Sequence, residues 1–108
     1  IAERPGPIPS AMGADGPIGP KAVADHGFGD APRLDVLLIP GGFGTIAELE
    51  NPAMLAFLRA RAKDTDIIAS VCTGSALLAR AGLLDGLRAT SNKQLFRLAR
   101  SQSDKVTW

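Results

Sequence analysis

A doubly wound, mostly parallel α/β sheet with helices on both faces, of the flavodoxin-like kind, is the fold class this sequence predicts. Two apolar strand candidates, residues 34–39 and 67–71, each run into a turn of small residues, and helical periodicity follows each turn. Alternating strands and helices imply parallel pairing through right-handed crossovers. A length of 108 residues makes one domain the ceiling, because a chain of this size closes a single core.

Residues 1–33 hold six of the eight prolines, from Pro5 to Pro32, and many glycines, so no long helix fits there. The segment reads as loops around short strands. One candidate hairpin pairs residues 7–11 with 18–24 across Gly13-Ala14-Asp15-Gly16, its prolines marking edge or bulge positions. From Leu34 onward lies the strand-helix core. Leu34-Asp35-Val36-Leu37-Leu38-Ile39 is nearly continuous in apolar character, as a parallel strand buried on both faces requires. It ends in Pro40-Gly41-Gly42. Beyond a glycine-rich connection, Asn51-Pro52 predicts a helix start: asparagine caps free amides and proline suits the first helical position. Met54, Leu55, Leu58 and Ala62 then form a stripe at helical spacing, and Arg59, Arg61 and Lys63 crowd the end where the helix dipole favours cations.

The second strand, Ile67-Ile68-Ala69-Ser70-Val71, leads through Cys72 into a predicted helix over residues 75–81 that Gly82 closes as a left-handed cap. Asp85-Gly86 reads as a turn and residues 87–90 as a short strand. Ser91 or Asn92 caps a further helix with Leu95, Leu98 and Ala99 on one side. The chain opens on Ile1 and stops as an apolar run, Val106-Thr107-Trp108, begins, so the domain is expected to be cut at both ends.

Hydrophobic residues at 45% and charged residues at 21% describe a folded, soluble domain. A net charge of +1 supplies no field to steer the chain onto nucleic acid or an anionic membrane, and a small neutral substrate fits better. No apolar run approaches a membrane span of about 20 residues, and the first residues lack the apolar core of a signal peptide. The expected location is cytoplasmic. One cysteine cannot form an internal disulfide, and one histidine leaves no Cys/His set of metal-binding spacing.

Two turns carry candidate chemistry. Gly42-Phe43-Gly44-Thr45-Ile46-Ala47 formally matches the dinucleotide fingerprint after a strand. The acidic residue this fingerprint needs at the end of the next strand is missing, because Asp64 and Asp66 precede that strand and Cys72 follows it. Dinucleotide binding is therefore disfavoured. The second turn places Cys72 at a strand-to-helix elbow, followed by Thr73, Gly74 and Ser75. Such an elbow presents its side chain at the carboxyl end of a sheet, where open α/β folds bind ligands. A helix N-terminus favours the thiolate, the reactive form of cysteine. Free amides at Thr73 or Gly74, with that of Gly42 from the neighbouring strand end, are candidate oxyanion donors.

Each residue also has a bland reading. Cys72 can be a small hydrophobe filling a tight junction, Thr73 a helix cap, and Gly41, Gly42 and Gly44 turn residues needing positive φ. His26, in the loop Ala24-Asp25-His26-Gly27, reads better as a solvated histidine than as a base. Trp108 and the four phenylalanines read as core or interface.

The run from Leu34 to Gly42 with Gly44-Thr45, and that from Ala69 to Thr90 around Val71-Cys72-Thr73-Gly74-Ser75, resemble the ThiJ/PfpI superfamily, of class I glutamine amidotransferase-like fold, and its isonitrile hydratase branch. The resemblance covers the chain from about Ala24 onward. It implies that Cys72 occupies a nucleophile elbow, that Thr73 beside it is catalytic and orients substrate, the acid or the water, and that Gly41, Gly42, Thr73 and Gly74 bind substrate. It also implies a homodimer, no metal and no organic cofactor. Family members begin with a strand and helix whose intervening loop supplies an acidic residue facing the cysteine, and they extend further at the carboxyl end. Peptidase and glyoxalase-type members place a histidine beside or downstream of the cysteine. Thr73 stands beside it here and no histidine follows His26, so that chemistry is disfavoured. What the resemblance implies is a hydratase that converts an isonitrile to an N-substituted formamide. Two alternatives stay open: a non-catalytic sensor module of a transcription regulator, and a redox-sensing cysteine. The isolated chain is expected to be inactive, lacking the acid and leaving a sheet edge and face uncovered.

Overall fold

A computed structural model describes residues 1–9 and 20–108. They divide into two compact units, Ile1–Pro32 and Arg33–Trp108. Among the described residues no helix is long and apolar enough to cross a membrane.

In the first unit β1 (Gly6–Pro9) pairs antiparallel with β2 (Lys21–Ala24), Gly6 opposite Ala24 and Pro9 opposite Lys21. The predicted hairpin is present in its described part, and its predicted turn lies outside the described residues. Pro7 and Pro9 have no amide to donate, which suits a ladder of two edge strands. Ala2 N–H closes the unit by donating to the His26 carbonyl at 3.1 Å.

The second unit contains β3 (Val36–Ile39), α1 (Gly44–Glu48), α2 (Pro52–Arg61), β4 (Ile67–Ser70), α3 (Gly74–Arg80) and α4 (Phe96–Arg100). Strands β3 and β4 are parallel neighbours, Val36 opposite Ile67 and Ile39 opposite Ser70. Both lie where the apolar runs predicted them, one to two residues shorter.

At the centre is α3. Its run Gly74-Ser75-Ala76-Leu77-Leu78-Ala79 is entirely buried, because no charged side chain interrupts it before Arg80 and a helix apolar on all sides must be surrounded. It packs on β3, β4, α1, α2 and α4. Gly82, at φ +79°, ends it as predicted. The Leu83 amide donates to the Leu78 carbonyl and the Gly82 amide to that of Ala79, each at 2.9 Å, the paired bonds of a Schellman cap. Arg59 Nε donates to the Ala81 carbonyl at 3.0 Å, so a cation from α2 covers the negative end of α3.

The start of α2 also matches its prediction. Asn51 is the N-cap, and its Oδ1 accepts from the amides of Ala53 at 2.9 Å and Met54 at 3.3 Å. The deepest side chains of this helix are Phe57 and Leu58, with Met54 and Leu55 half-buried. Phe57 was outside the predicted stripe.

Four features differ from expectation. The glycine-rich connection contains α1, because the Thr45 amide and hydroxyl both bond the Gly42 carbonyl, at 3.1 and 2.6 Å, and start a helical turn. The last helix begins at Phe96, not beside Asn92, whose Oδ1 takes the Leu95 amide at 3.0 Å and closes a turn ahead of it. Residues 87–90 form a single parallel bridge, Arg88 to Thr107, instead of a full strand. The strands, expected to be buried on both faces, bury Leu37 and Ile39 while Val36 and Leu38 stand 54% and 57% exposed. Ile67, on the same face as Val36 by register, is equally open, so the helices of this unit cover one face.

Close contact between the end of β3 and the start of α3 depends on Gly74. A Cβ there would lie 2.3 Å from the Ile39 carbonyl oxygen and 2.9 Å from that of Pro40. Both neighbours are backbone and cannot rotate away. Gly74→Ala is therefore expected to destabilise the protein by about 3 kcal/mol or more, read as a lowered urea midpoint.

Candidate active site

Strand pairing ends where the Val71 amide donates to the Ile39 carbonyl at 2.9 Å, and the Gly74 amide then folds back onto the Val71 carbonyl at 2.9 Å. Cys72 and Thr73 are trapped inside that turn. Cys72 takes φ +55°, the one positive φ among the described non-glycine residues. For a residue with a Cβ this conformation costs about 1–2 kcal/mol, and the cysteine side chain is exposed. The small-hydrophobe reading does not describe it.

Gly41 explains how the neighbouring turn fits. A Cβ on it would lie 2.6 Å from Cys72 Cβ and 2.8 Å from the Thr73 amide nitrogen, so its role is close backbone approach. Gly42 adopts φ +130°, a conformation suited to glycine.

Thr73 takes the N-cap position of α3 but does not cap it with its side chain. It is only 1% exposed and turns its hydroxyl toward the neighbouring turn. Thr73 Oγ1 accepts from the Gly42 amide at 3.0 Å and lies 2.9 Å from Thr45 Oγ1 and 3.2 Å from the Gly42 carbonyl oxygen. It clamps the two turns together. The Gly42 amide, expected to face substrate, is engaged in this clamp. The amides of Cys72 and Thr73 have no acceptor among the described hydrogen bonds and remain for an incoming group. Gly74 has its own amide on Val71 and is removed from the donor set.

A third segment meets the elbow. Ser75 Oγ and Ser91 Oγ lie 3.1 and 3.2 Å from the Cys72 carbonyl oxygen and 2.7 Å from each other. Asn92 Nδ2 donates to Cys72 Sγ at 3.2 Å. In the sequence Ser91 and Asn92 signalled only a helix start; their link to Cys72 spans 19 and 20 residues and has no local signature. His26 belongs to the first unit, half-buried and with its Nδ1 3.9 Å from Asp30 Oδ2.

These features define an α/β protein with an exposed cysteine on a strained strand-to-helix elbow. The chain belongs to the DJ-1/PfpI family, whose pattern matches residues 10–106. It is 46% identical over 65 residues to an isonitrile hydratase from Pseudomonas putida, a match covering 60% of this chain and 28% of that protein. It is also 41% identical over 68 residues to the HTH-type transcriptional regulator GbdR of Pseudomonas aeruginosa, covering 63% of this chain and 18% of the regulator. In structure it is similar to a THiJ/PfpI family protein from Pseudomonas syringae, with a TM-score of 0.73 and 38% identity over 84% of this chain and 36% of the other. The chain thus spans under a third of the length of these two curated relatives. The α/β fold class holds.

The Thr73 clamp can be tested by stability. Thr73→Val keeps the shape but removes the acceptor of the Gly42 amide, an expected loss of about 1–3 kcal/mol in denaturant titration. Thr73→Ser keeps the hydroxyl and is expected to lose only about 0.8 kcal/mol, one methyl's worth of burial.

Proposed function

We propose that the intact protein is a cysteine enzyme that hydrates an isonitrile to an N-substituted formamide, with Cys72 as nucleophile. The observation that carries this reading is the exposed Cys72 side chain at φ +55° on the elbow. Strain of this kind persists only where surrounding contacts enforce it, and it concentrates at functional sites. The likeness to an isonitrile hydratase supports the choice of substrate.

In the proposed reaction the sulfur attacks the terminal isonitrile carbon and that carbon takes a proton, giving a thioimidate. Water then adds to the same carbon, and the carbon–sulfur bond breaks to release the formamide and the free cysteine. Covalent capture divides one difficult addition into two easier ones. The amides of Cys72 and Thr73 supply donors for charge that develops on the substrate. Proton transfer falls to an acidic side chain outside these residues, as the family resemblance implies. Thr73 acts through the clamp that sets the elbow's position, and Gly41 through the close approach it permits. The proposal includes a cytoplasmic homodimer acting on a small molecule without metal or organic cofactor.

A second reading, a sensing module within a transcription regulator, is supported by the likeness to GbdR. It predicts binding without turnover.

The discriminating assay is formamide release from an alkyl isonitrile by the full-length protein. Activity is expected in the parent and a loss of at least about a thousandfold in Cys72→Ala, since removing a catalytic nucleophile forfeits most of the rate enhancement. Turnover that survives the substitution excludes Cys72 as the nucleophile, and a parent that binds isonitrile without converting it favours the sensor.

A further inference from the structure

We propose that Asn92 is a catalytic residue of this site: its side-chain amide donates to the Cys72 sulfur and stabilises the negative charge the sulfur carries before attack and on release. The proposal rests on the reading of Cys72 as nucleophile and adds a partner for it within the chain.

The geometry is specific. Nδ2 stands 3.2 Å from Sγ, while Oδ1 of the same side chain accepts the Leu95 amide at 3.0 Å. Because a backbone N–H can only donate, the Leu95 bond fixes which end of the carboxamide is oxygen and leaves the NH2 end on the sulfur. Asn92 is itself half-buried. Its neighbour Ser91 is tied to the Cys72 carbonyl at 3.2 Å and to the buried Ser75 hydroxyl at 2.7 Å. The donor is held before any substrate arrives, and preorganisation of this kind gives a dipole its catalytic value. A carboxamide also cannot take the proton from the thiol. Asn92 therefore supports the sulfur without acting as a base, which matches a site with no histidine after His26 and leaves proton transfer to a separate group.

Two roles must be separated, since Asn92 also closes the turn before α4. Asn92→Asp separates them: the carboxylate keeps an oxygen for Leu95 but has no N–H for the sulfur. The reactivity of Cys72 toward iodoacetamide, followed by intact mass at about pH 6 in the full-length protein, reads the sulfur directly and needs no isonitrile. A lost donor withdraws one hydrogen bond from the attacking sulfur, a net effect of about threefold on alkylation once the greater nucleophilicity of the less solvated sulfur is counted. Asn92→Ala is expected to react about threefold more slowly, and Asn92→Asp at least as slowly. The deficit of Asn92→Ala arises with no new charge beside the sulfur, and the Asp variant should retain the parent's melting temperature. Asn92→Asp reacting at the parental rate overturns the proposal and leaves Asn92 as a turn residue. Loss of reactivity in the variants with no isonitrile turnover in the parent sustains the Asn92 proposal and removes the substrate assignment. A parent whose Cys72 is not labelled overturns both.

Discussion

Everything around Cys72 depends on one steric constraint, the closeness of the two strand ends where β3 leaves the sheet and β4 turns into α3. Two glycines permit it from opposite sides. Gly74 brings the first turn of α3 against the carbonyls of Ile39 and Pro40, and Gly41 brings the other turn against Cys72. Side chains at these positions would force the turns apart and break the span of the Thr73 hydroxyl between Gly42 and Thr45. The hydrogen bonds of the clamp follow from the packing; they do not create it.

The buried helix α3 anchors this junction. Its apolar run is surrounded by every other named element of the second unit, and Arg59 and the Gly82 cap complete its far end. A strained residue at its near end is tolerable because the helix cannot move to relieve the strain. Packing energy spread over the core thus holds a single unfavourable torsion, and that torsion presents the sulfur.

Features written in adjacent residues were legible in the sequence. The two apolar strands, the Asn51-Pro52 helix start and the Gly82 cap each depend on neighbours within a turn, and each occurs where predicted. The elbow was legible for the same reason. What escaped was nonlocal. Thr73 looked like a cap or a substrate-orienting group because nothing within a few residues reveals a partner 31 positions away at Gly42. Asn92 looked like a cap, and half of its side chain does bond locally; the half that reaches the sulfur crosses 20 residues. Strand burial was overestimated because an apolar run reports affinity for cover, while the described helices of the unit supply it on one side only.

The positive φ at Cys72 also constrains what evolution can do with this position. Glycine adopts that conformation without the steric penalty, and asparagine and aspartate adopt it more readily than most residues. A lineage that abandoned the chemistry could relax the fold by exchanging the cysteine for one of these. Retaining cysteine forgoes that relief, so the proposed activity and stability are in direct opposition at a single backbone torsion. In a relative with glycine here, the elbow would survive as architecture after its reaction had been lost.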